Sequence, residues 1–192
     1  MNKVIKIIAG PNGSGKSTFA DSYLNQTKPA VPFLNPDLIA IGFGPSDFEK
    51  ASFQAGRVLL SEIKMRIQRG ESFSFESTLS GLTYAKIIKE AKAHGYKIII
   101  YFIFLKKISL NISRIKKRVK MGGHNIPTKV VKRRYLRCFD NFWNIYKELA
   151  DEWIVIDNSS NKPNLLQNSS KFKKLDDLHK NEFAAKFIKG HL

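Results

Sequence analysis

AGPNGSGKSTFA, residues 9–20, is the segment from which the architecture of this chain is best predicted. From Gly10 to Ser17 it matches the pattern G-x-x-x-x-G-K-[ST], a phosphate-binding loop, at every fixed position. Glycines let successive backbone N–H groups converge on phosphate oxygens, and the helix that begins at Lys16 adds the positive end of its dipole. The apolar run at 3–9 predicts the strand, and residues 16–25 the helix, that this loop requires.

The loop predicts a site for ATP and Mg²⁺. We expect Lys16 to reach the β- and γ-phosphates and the Ser17 hydroxyl to bind Mg²⁺. The predicted nucleotide-binding residues are Gly10, Pro11, Asn12, Gly13, Ser14, Gly15, Lys16, Ser17 and Thr18.

Strand and helix patterns alternate along the rest of the chain. Apolar runs predict strands at 31–35, 72–76, 96–105 and 153–156, and helical spacing of apolar residues predicts helices at 46–69, 82–94, 108–121 and 127–150. This alternation predicts an α/β fold, a three-layer sandwich with a mostly parallel sheet of about five strands. We expect one domain over residues 1–160, with a polar, loop-like extension over 161–192 that packs on it or trails from it.

Composition excludes several classes of protein. The chain has 192 residues, of which 43% are hydrophobic and 26% charged, as in an ordinary soluble globular protein. It has no run of about 18 apolar residues that would span a membrane. The single cysteine, Cys138, excludes an internal disulfide. We therefore expect a cytoplasmic protein without a membrane partner.

The charge is unusual in both size and distribution. The formal net charge is +17, and no acidic residue lies between Glu90 and Asp140. Such a balance attracts polyanions over long distances, including nucleic acids. The alternative, that these lysines only solvate helix surfaces, remains open.

Four further stretches, taken with the glycine loop, resemble one family. They are NPDLIA at 35–40, FEST at 75–78, GGHNIP at 122–127 and DEWIVIDNS at 151–159. In order and spacing they resemble the zeta-toxin family of P-loop kinases, over about residues 1–160. The resemblance implies transfer of the γ-phosphate of ATP to an acceptor hydroxyl. The better-known members of that family phosphorylate the 3′-hydroxyl of the sugar in UDP-N-acetylglucosamine.

The resemblance also assigns roles to residues outside the loop. Asp37 corresponds to the general base that takes the acceptor proton, a step for which a carboxylate is suited. The alternative, that Asp37 caps the helix after an Asn-Pro turn, remains open. Glu76 corresponds to an acid that orders Mg²⁺ and contacts the acceptor, and Thr78 to an acceptor-binding threonine. Asn35 is a further candidate on the acceptor side.

The basic segment at about 106–135 resembles the lid of that family. Arg114 and Arg118 are four residues apart and share a helix face, so both are candidates to stabilise the charge on the transferred phosphoryl group. Arg133 and Arg134 are secondary candidates.

His124 stands where toxin members carry a second lid arginine. It is a candidate acceptor contact, and an exposed turn residue is the alternative reading. Because histidine is charged only part of the time near neutral pH, this departure affects both the rate and the choice of acceptor.

The leading interpretation is a Mg·ATP-dependent kinase of a small hydroxyl acceptor, with UDP-N-acetylglucosamine as the first choice. Two alternatives remain open. One is a kinase that acts on a nucleotide or a nucleic-acid end. The other is a nucleotide-gated ATPase that binds a macromolecular partner, such as a protein antitoxin.

Overall fold

The computed structural model describes residues 3–23, 31–36, 39, 48–123, 125–160 and 163–169. The strands in these ranges are β1 (Val4–Ala9), β2 (Phe33–Leu34), β3 (Phe73–Ser77), β4 (Lys97–Phe104), β5 (Glu152–Asp157) and β6 (Asn164–Asn168). The helices are α1 (Lys16–Tyr23), α2 (Phe48–Arg69), α3 (Thr83–Ala93), α4 (Ile108–Lys120), α5 (Thr128–Asn141) and the short α6 (Lys147–Leu149), and a π-helical turn (Phe142–Tyr146) joins α5 to α6.

The strands form one sheet in the order β2-β3-β1-β4-β5-β6, in which the first five are parallel and β6 is antiparallel to β5. β1 lies at the centre and is buried along its whole length. Parallel strands point their carboxyl ends to one edge, and in open α/β sheets ligands bind at that edge. The glycine loop after β1 and the segments after β2, β3 and β5 therefore meet there.

Helices cover both faces of the sheet. On one face, α2, α3, α5 and the π-helical turn pack against alternate residues of the strands, including Ile5 and Ile7 of β1. On the other face, Phe19 and Ala20 of α1 pack against Ile8 and its neighbours. The two clusters follow from the alternation of side chains along a strand. The predicted α/β three-layer fold is confirmed.

The structure differs from the predictions in two elements. β6 was expected to be part of a polar loop but pairs with β5 as a sixth strand. The helix predicted over 127–150 changes to π-helical geometry at Phe142, whose ring stacks on Phe102 with the centroids 4.2 Å apart. Asp37, His124 and residues 170–192 lie outside the described residues. No helix in the described ranges is both long and apolar enough to cross a bilayer.

Candidate active site

The glycine loop connects the buried strand β1 to α1, as its sequence predicts. Within it the Ser14 N–H donates to the Pro11 carbonyl at 3.2 Å, and the Lys16 ammonium donates to the same carbonyl at 3.1 Å. Lys16 is only 5% exposed. Its charge is therefore held inside the curve of the loop, where the phosphates of a nucleotide would lie.

Glu76 at the end of β3 contacts the first residues of α1. The Ser17 hydroxyl donates to Glu76 Oε2 at 2.7 Å, and Lys16 Nζ lies 3.6 Å from Glu76 Oε1. The strand register explains the proximity, because Ile8 of β1 pairs with Glu76. Because Glu76 pairs with a residue near the end of β1, it lies beside the loop that follows β1.

Mg²⁺ fits this pair of side chains. A hydroxyl and a carboxylate are the hard oxygen ligands that Mg²⁺ uses, with one or two carboxylates supplemented by water and substrate phosphates. The part of the chain that the structure describes contains no cluster of three or more His, Cys, Asp or Glu side chains that would hold a metal without a substrate. Ser17 and Glu76 would be the protein ligands, directly or through water.

A cleft of about 1210 Å³ opens in front of the loop. Of the predicted site residues, those lining it are Asn12, Gly13, Gly15, Lys16, Ser17, Thr18, Glu76, Thr78, Arg114 and Arg118. Gly10, Pro11, Ser14 and Asn35 do not line the cleft, and Ser14 and Asn35 are buried behind it. Asp37 and His124 are outside the described residues, but their sequence neighbours Pro36 and Asn125 line the cleft.

The charge of the cleft is strongly positive. Among its described residues Glu76 is the one acid, and the cations are Lys16, Arg57, Arg114, Arg118, Arg133 and Arg134. Burial and the neighbouring charge of Arg133 lower the pKa of Arg134. An anion in the cleft would relieve this repulsion, so the lining favours a ligand with several phosphates.

Two side-chain amides hold the glycine loop, one from α4 and one from the segment after β5. Asn111 of α4, which is fully buried, donates through Nδ2 to the Asn12 carbonyl at 2.8 Å. Asn158, just after β5, donates through Nδ2 to the Ser14 carbonyl at 2.8 Å, and its own carbonyl accepts a 2.8 Å bond from Arg114 of α4. Helix α4 therefore lies directly against the glycine loop.

The cleft extends past the end of β3, where Thr78 and Tyr84 line it. Thr78 is half-buried, and its hydroxyl is 2.9 Å from that of Ser80. Tyr84 stacks on Phe75 with the ring centroids 5.0 Å apart. Burial raises the pKa of Tyr84 to about 12, so this hydroxyl is a hydrogen-bond donor and not a base near neutral pH.

Sequence reasoning missed several residues of the cleft. Phe53 and Arg57 on α2 and Tyr84 on α3 line it, and Asn111 supports it from behind. Phe53 and Arg57 are four residues apart and therefore share one face of α2, a spacing from which they could have been predicted as neighbours. Tyr135, Phe139, Phe142 and Tyr146 are buried in the core, and Trp143 is half-buried against it.

Comparison with known proteins identifies relatives of the chain. Residues 49–171 match the family described as Zeta toxin. That segment begins after the glycine loop, so the loop and the match are independent observations. A protein of Haemophilus influenzae, described as uncharacterized, is 37% identical over 134 residues, which cover 70% of this chain and 93% of that protein.

Solved structures share the fold at low sequence identity. A structure from the PezAT chromosomal toxin-antitoxin system of Streptococcus pneumoniae matches with a TM-score of 0.70 and 13% identity, covering 100% of this chain and 85% of that one. The AvrRxo1-ORF1:-ORF2 complex with ATP matches with a TM-score of 0.69 and 15% identity, covering 96% and 64%. At this identity, the two matches show the fold alone.

Proposed function

Because this chain belongs to the Zeta toxin family, we propose that it is a Mg·ATP-dependent phosphotransferase that moves the γ-phosphate of ATP to a hydroxyl of a small acceptor. The first acceptor to test is UDP-N-acetylglucosamine. The observation that carries the proposal is the contact of Lys16 and Ser17 with Glu76 at the floor of the cleft. That arrangement joins a phosphate-binding cation to oxygen ligands suited to Mg²⁺.

The size of the cleft supports transfer to an acceptor over hydrolysis alone. Pockets for single ligands usually measure about 300–1,000 Å³, and this cleft of about 1210 Å³ has room for a nucleotide and a second molecule. Arg57 of α2 and Arg133 and Arg134 of α5 also line it. An acceptor with its own phosphates would pair with these arginines, which is the reason for starting with a nucleotide sugar.

On the donor side, the loop binds the phosphates through its N–H groups and Lys16. When bound, Mg²⁺ would neutralise charge between the β- and γ-phosphates. Arg114 and Arg118 line the cleft from α4. Their guanidinium groups would stabilise the charge that spreads over the transferred phosphoryl oxygens.

On the acceptor side, we propose Asp37 as the general base. Two observations support this assignment. The preceding residue, Pro36, lines the cleft, and the described cleft residues offer no other free base, since Glu76 is engaged by Lys16 and Ser17 and Tyr84 stays protonated. Thr78, which lines the cleft, and His124 would position the acceptor hydroxyl toward Asp37, whereas Asn35 lies behind the cleft and would act only through its neighbours.

The test is transfer of labelled γ-phosphate from ATP, with Mg²⁺, into a panel of UDP-sugars, nucleotides and oligonucleotides. Wild type and Asp37→Ala are run side by side, and products are identified by mass. We expect labelled UDP-N-acetylglucosamine from the wild type and a rate lower by about 10²–10⁴-fold in the variant, the range for loss of a general base. Free phosphate released equally by both proteins, with no labelled acceptor, would contradict the proposal.

A nucleic-acid end is the second candidate acceptor. The observation that favours it is the set of exposed cations on α4 and α5, which form no ion pair in the described part of the chain: Lys116, Lys117, Lys120, Lys129, Lys132, Arg133 and Arg137. This surface adjoins the cleft, where Arg118 and Arg133 lie. Labelled oligonucleotide, formed with a steep salt dependence, would establish this candidate instead.

A protein partner is also proposed. One structural match comes from a toxin-antitoxin system, and an inhibitory antitoxin with acidic side chains would complement the positive cleft.

A further inference from the structure

We propose that Asn111 and Asn158 are positioning residues that orient the peptide planes of the glycine loop, so that the N–H groups of Gly13 and Gly15 face the nucleotide phosphates. The inference rests on the proposed function only in taking the ligand to be ATP.

The geometry of the trans peptide links the two asparagines to these N–H groups. In a planar trans peptide the C=O and the following N–H point in opposite directions. The Asn12 carbonyl shares its plane with the Gly13 N–H, and the Ser14 carbonyl shares its plane with the Gly15 N–H. Fixing either carbonyl on the outer side of the loop therefore fixes an N–H on the inner side.

Each of these carbonyls accepts a bond from one asparagine amide. Asn111 Nδ2 donates to the Asn12 carbonyl and Asn158 Nδ2 to the Ser14 carbonyl, both at 2.8 Å. Gly13 and Gly15 line the cleft, so the two peptide planes that these bonds fix lie at its surface. Since the asparagines are 99 and 144 residues from their acceptors in sequence, these contacts depend on the tertiary fold.

The glycines leave room for this close support. Gly13 and Gly15 have φ of +75° and +92°, in the region that other residues rarely adopt. A Cβ on Gly15 would lie 2.5 Å from Asn158 Nδ2, and one on Gly13 would lie 2.7 Å from the main-chain oxygen of Asn111. The two asparagines therefore contact the loop at the glycines whose N–H groups they orient.

The burial of Asn111 argues against a purely structural role. Its side chain is fully buried on the inward face of α4, and its Oδ1 makes no hydrogen bond among the described residues. A buried polar atom without a partner costs stability, so packing alone would favour an apolar residue there. An amide is required at this position if its donor has to fix the loop.

The experiment measures the dissociation constants of ATP and of inorganic triphosphate, without any acceptor, for Asn111→Ala and Asn158→Ala. Inorganic triphosphate lacks adenosine and so reports the phosphate contacts alone. The Asn158 variant keeps its main-chain carbonyl, which binds Arg114. We expect each variant to bind both ligands about tenfold more weakly, as expected for losing about one hydrogen bond to a charged group.

Asn141→Ala is the matched control. Asn141 Nδ2 also donates to a main-chain carbonyl, that of Leu79 at 2.9 Å, outside the loop. We expect its affinity for ATP and triphosphate to stay within about twofold of wild type, in line with the small effects of changes away from a site. Equal weakening in this control, or unchanged affinity in the folded Asn111 and Asn158 variants, would overturn the proposal.

The experiment includes a substitute variant and an outcome that separates this proposal from the proposed function. If an alanine variant does not fold, the Asn→Leu variant of the same residue has a similar shape, lacks the donor and adds no charge beside the phosphates, so it tests the same bond. A wild type that binds ATP but transfers no phosphate would contradict the proposed function, whereas the binding constants would still test the two asparagines.

Discussion

Around the glycine loop the cleft is formed by main-chain groups that buried side chains support, whereas α2 and α5 line it with long side chains near the surface. Lys16, Ser14 and Asn111 are at most 5% exposed. On α2 and α5, Phe53 is 69% exposed, and Arg57 and Arg133 are exposed as well. We refer to these regions as the donor side and the acceptor side.

The difference shows which part of the reaction the fold constrains. Donor-side contacts are shared with the core, because the loop follows the central strand β1 and packs against α4. A change there affects packing and phosphate binding together. Acceptor-side residues contribute little to the core, so they can change with small cost to folding. The fold therefore supports the proposed phosphate binding more directly than it supports any particular acceptor, and the acceptor has to be found by experiment.

The largest expected effect is that of Lys16→Met on the donor side. Its charge lies inside the loop, so we expect transfer to every acceptor to fall by about 10³-fold, the upper range for loss of one transition-state contact. Initial rates with labelled ATP measure this. Lys97→Met is the control, since Lys97 is exposed at the start of β4 and pairs with Glu152. A folded Lys16 variant with rates close to wild type would show that Lys16 does not act on the phosphates of ATP.

The next effect is that of Glu76→Gln, which retains the shape of the side chain and removes its charge. We expect transfer to fall about 10–100-fold, as for the loss of a group that orders a metal, and part of the rate to return at higher Mg²⁺ concentration. A Mg²⁺ titration of the rate checks this. Glu148→Gln, at a side chain that is 71% exposed, is the control. An unchanged Mg²⁺ dependence would place the metal elsewhere.

Most of the fold could be predicted from the sequence because its elements carry local signals. The buried strands are continuous apolar runs, and Gly70 and Gly95 follow α2 and α3. β6 could not be predicted, because an edge strand such as NLLQN needs only two apolar residues and pairs on one side. The π-helical turn begins at Phe142, which stacks on Phe102, and hydrophobic periodicity does not distinguish a π-helix from an α-helix.

The residues of the site could be predicted only where they belong to a sequence motif. Lys16, Ser17 and Glu76 meet as the loop motif and the end of β3 suggest. The role of Asn111 could not be predicted, because its partner Asn12 is 99 residues away and α4 has to pack before they meet. Whether Asp37 and His124 act as the resemblance implies stays a prediction.

The smallest expected effect, that of Arg134→Met, separates the two sides of the cleft most sharply. Arg134 lines the cleft from α5, so we expect the KM for a phosphorylated acceptor to rise about tenfold through loss of charge-assisted hydrogen bonds. The KM for ATP should stay within about twofold of wild type, because the donor side is unchanged. With a small phosphorylated acceptor, Lys132→Met, an exposed cation on the same helix that does not line the cleft, should change neither constant. Burial and Arg133 lower the pKa of Arg134, so its removal relieves repulsion and should not lower the melting temperature. A rise in the KM for ATP instead would assign the arginines of α5 to the donor side, and the acceptor would then have to bind along Phe53 and Arg57 of α2.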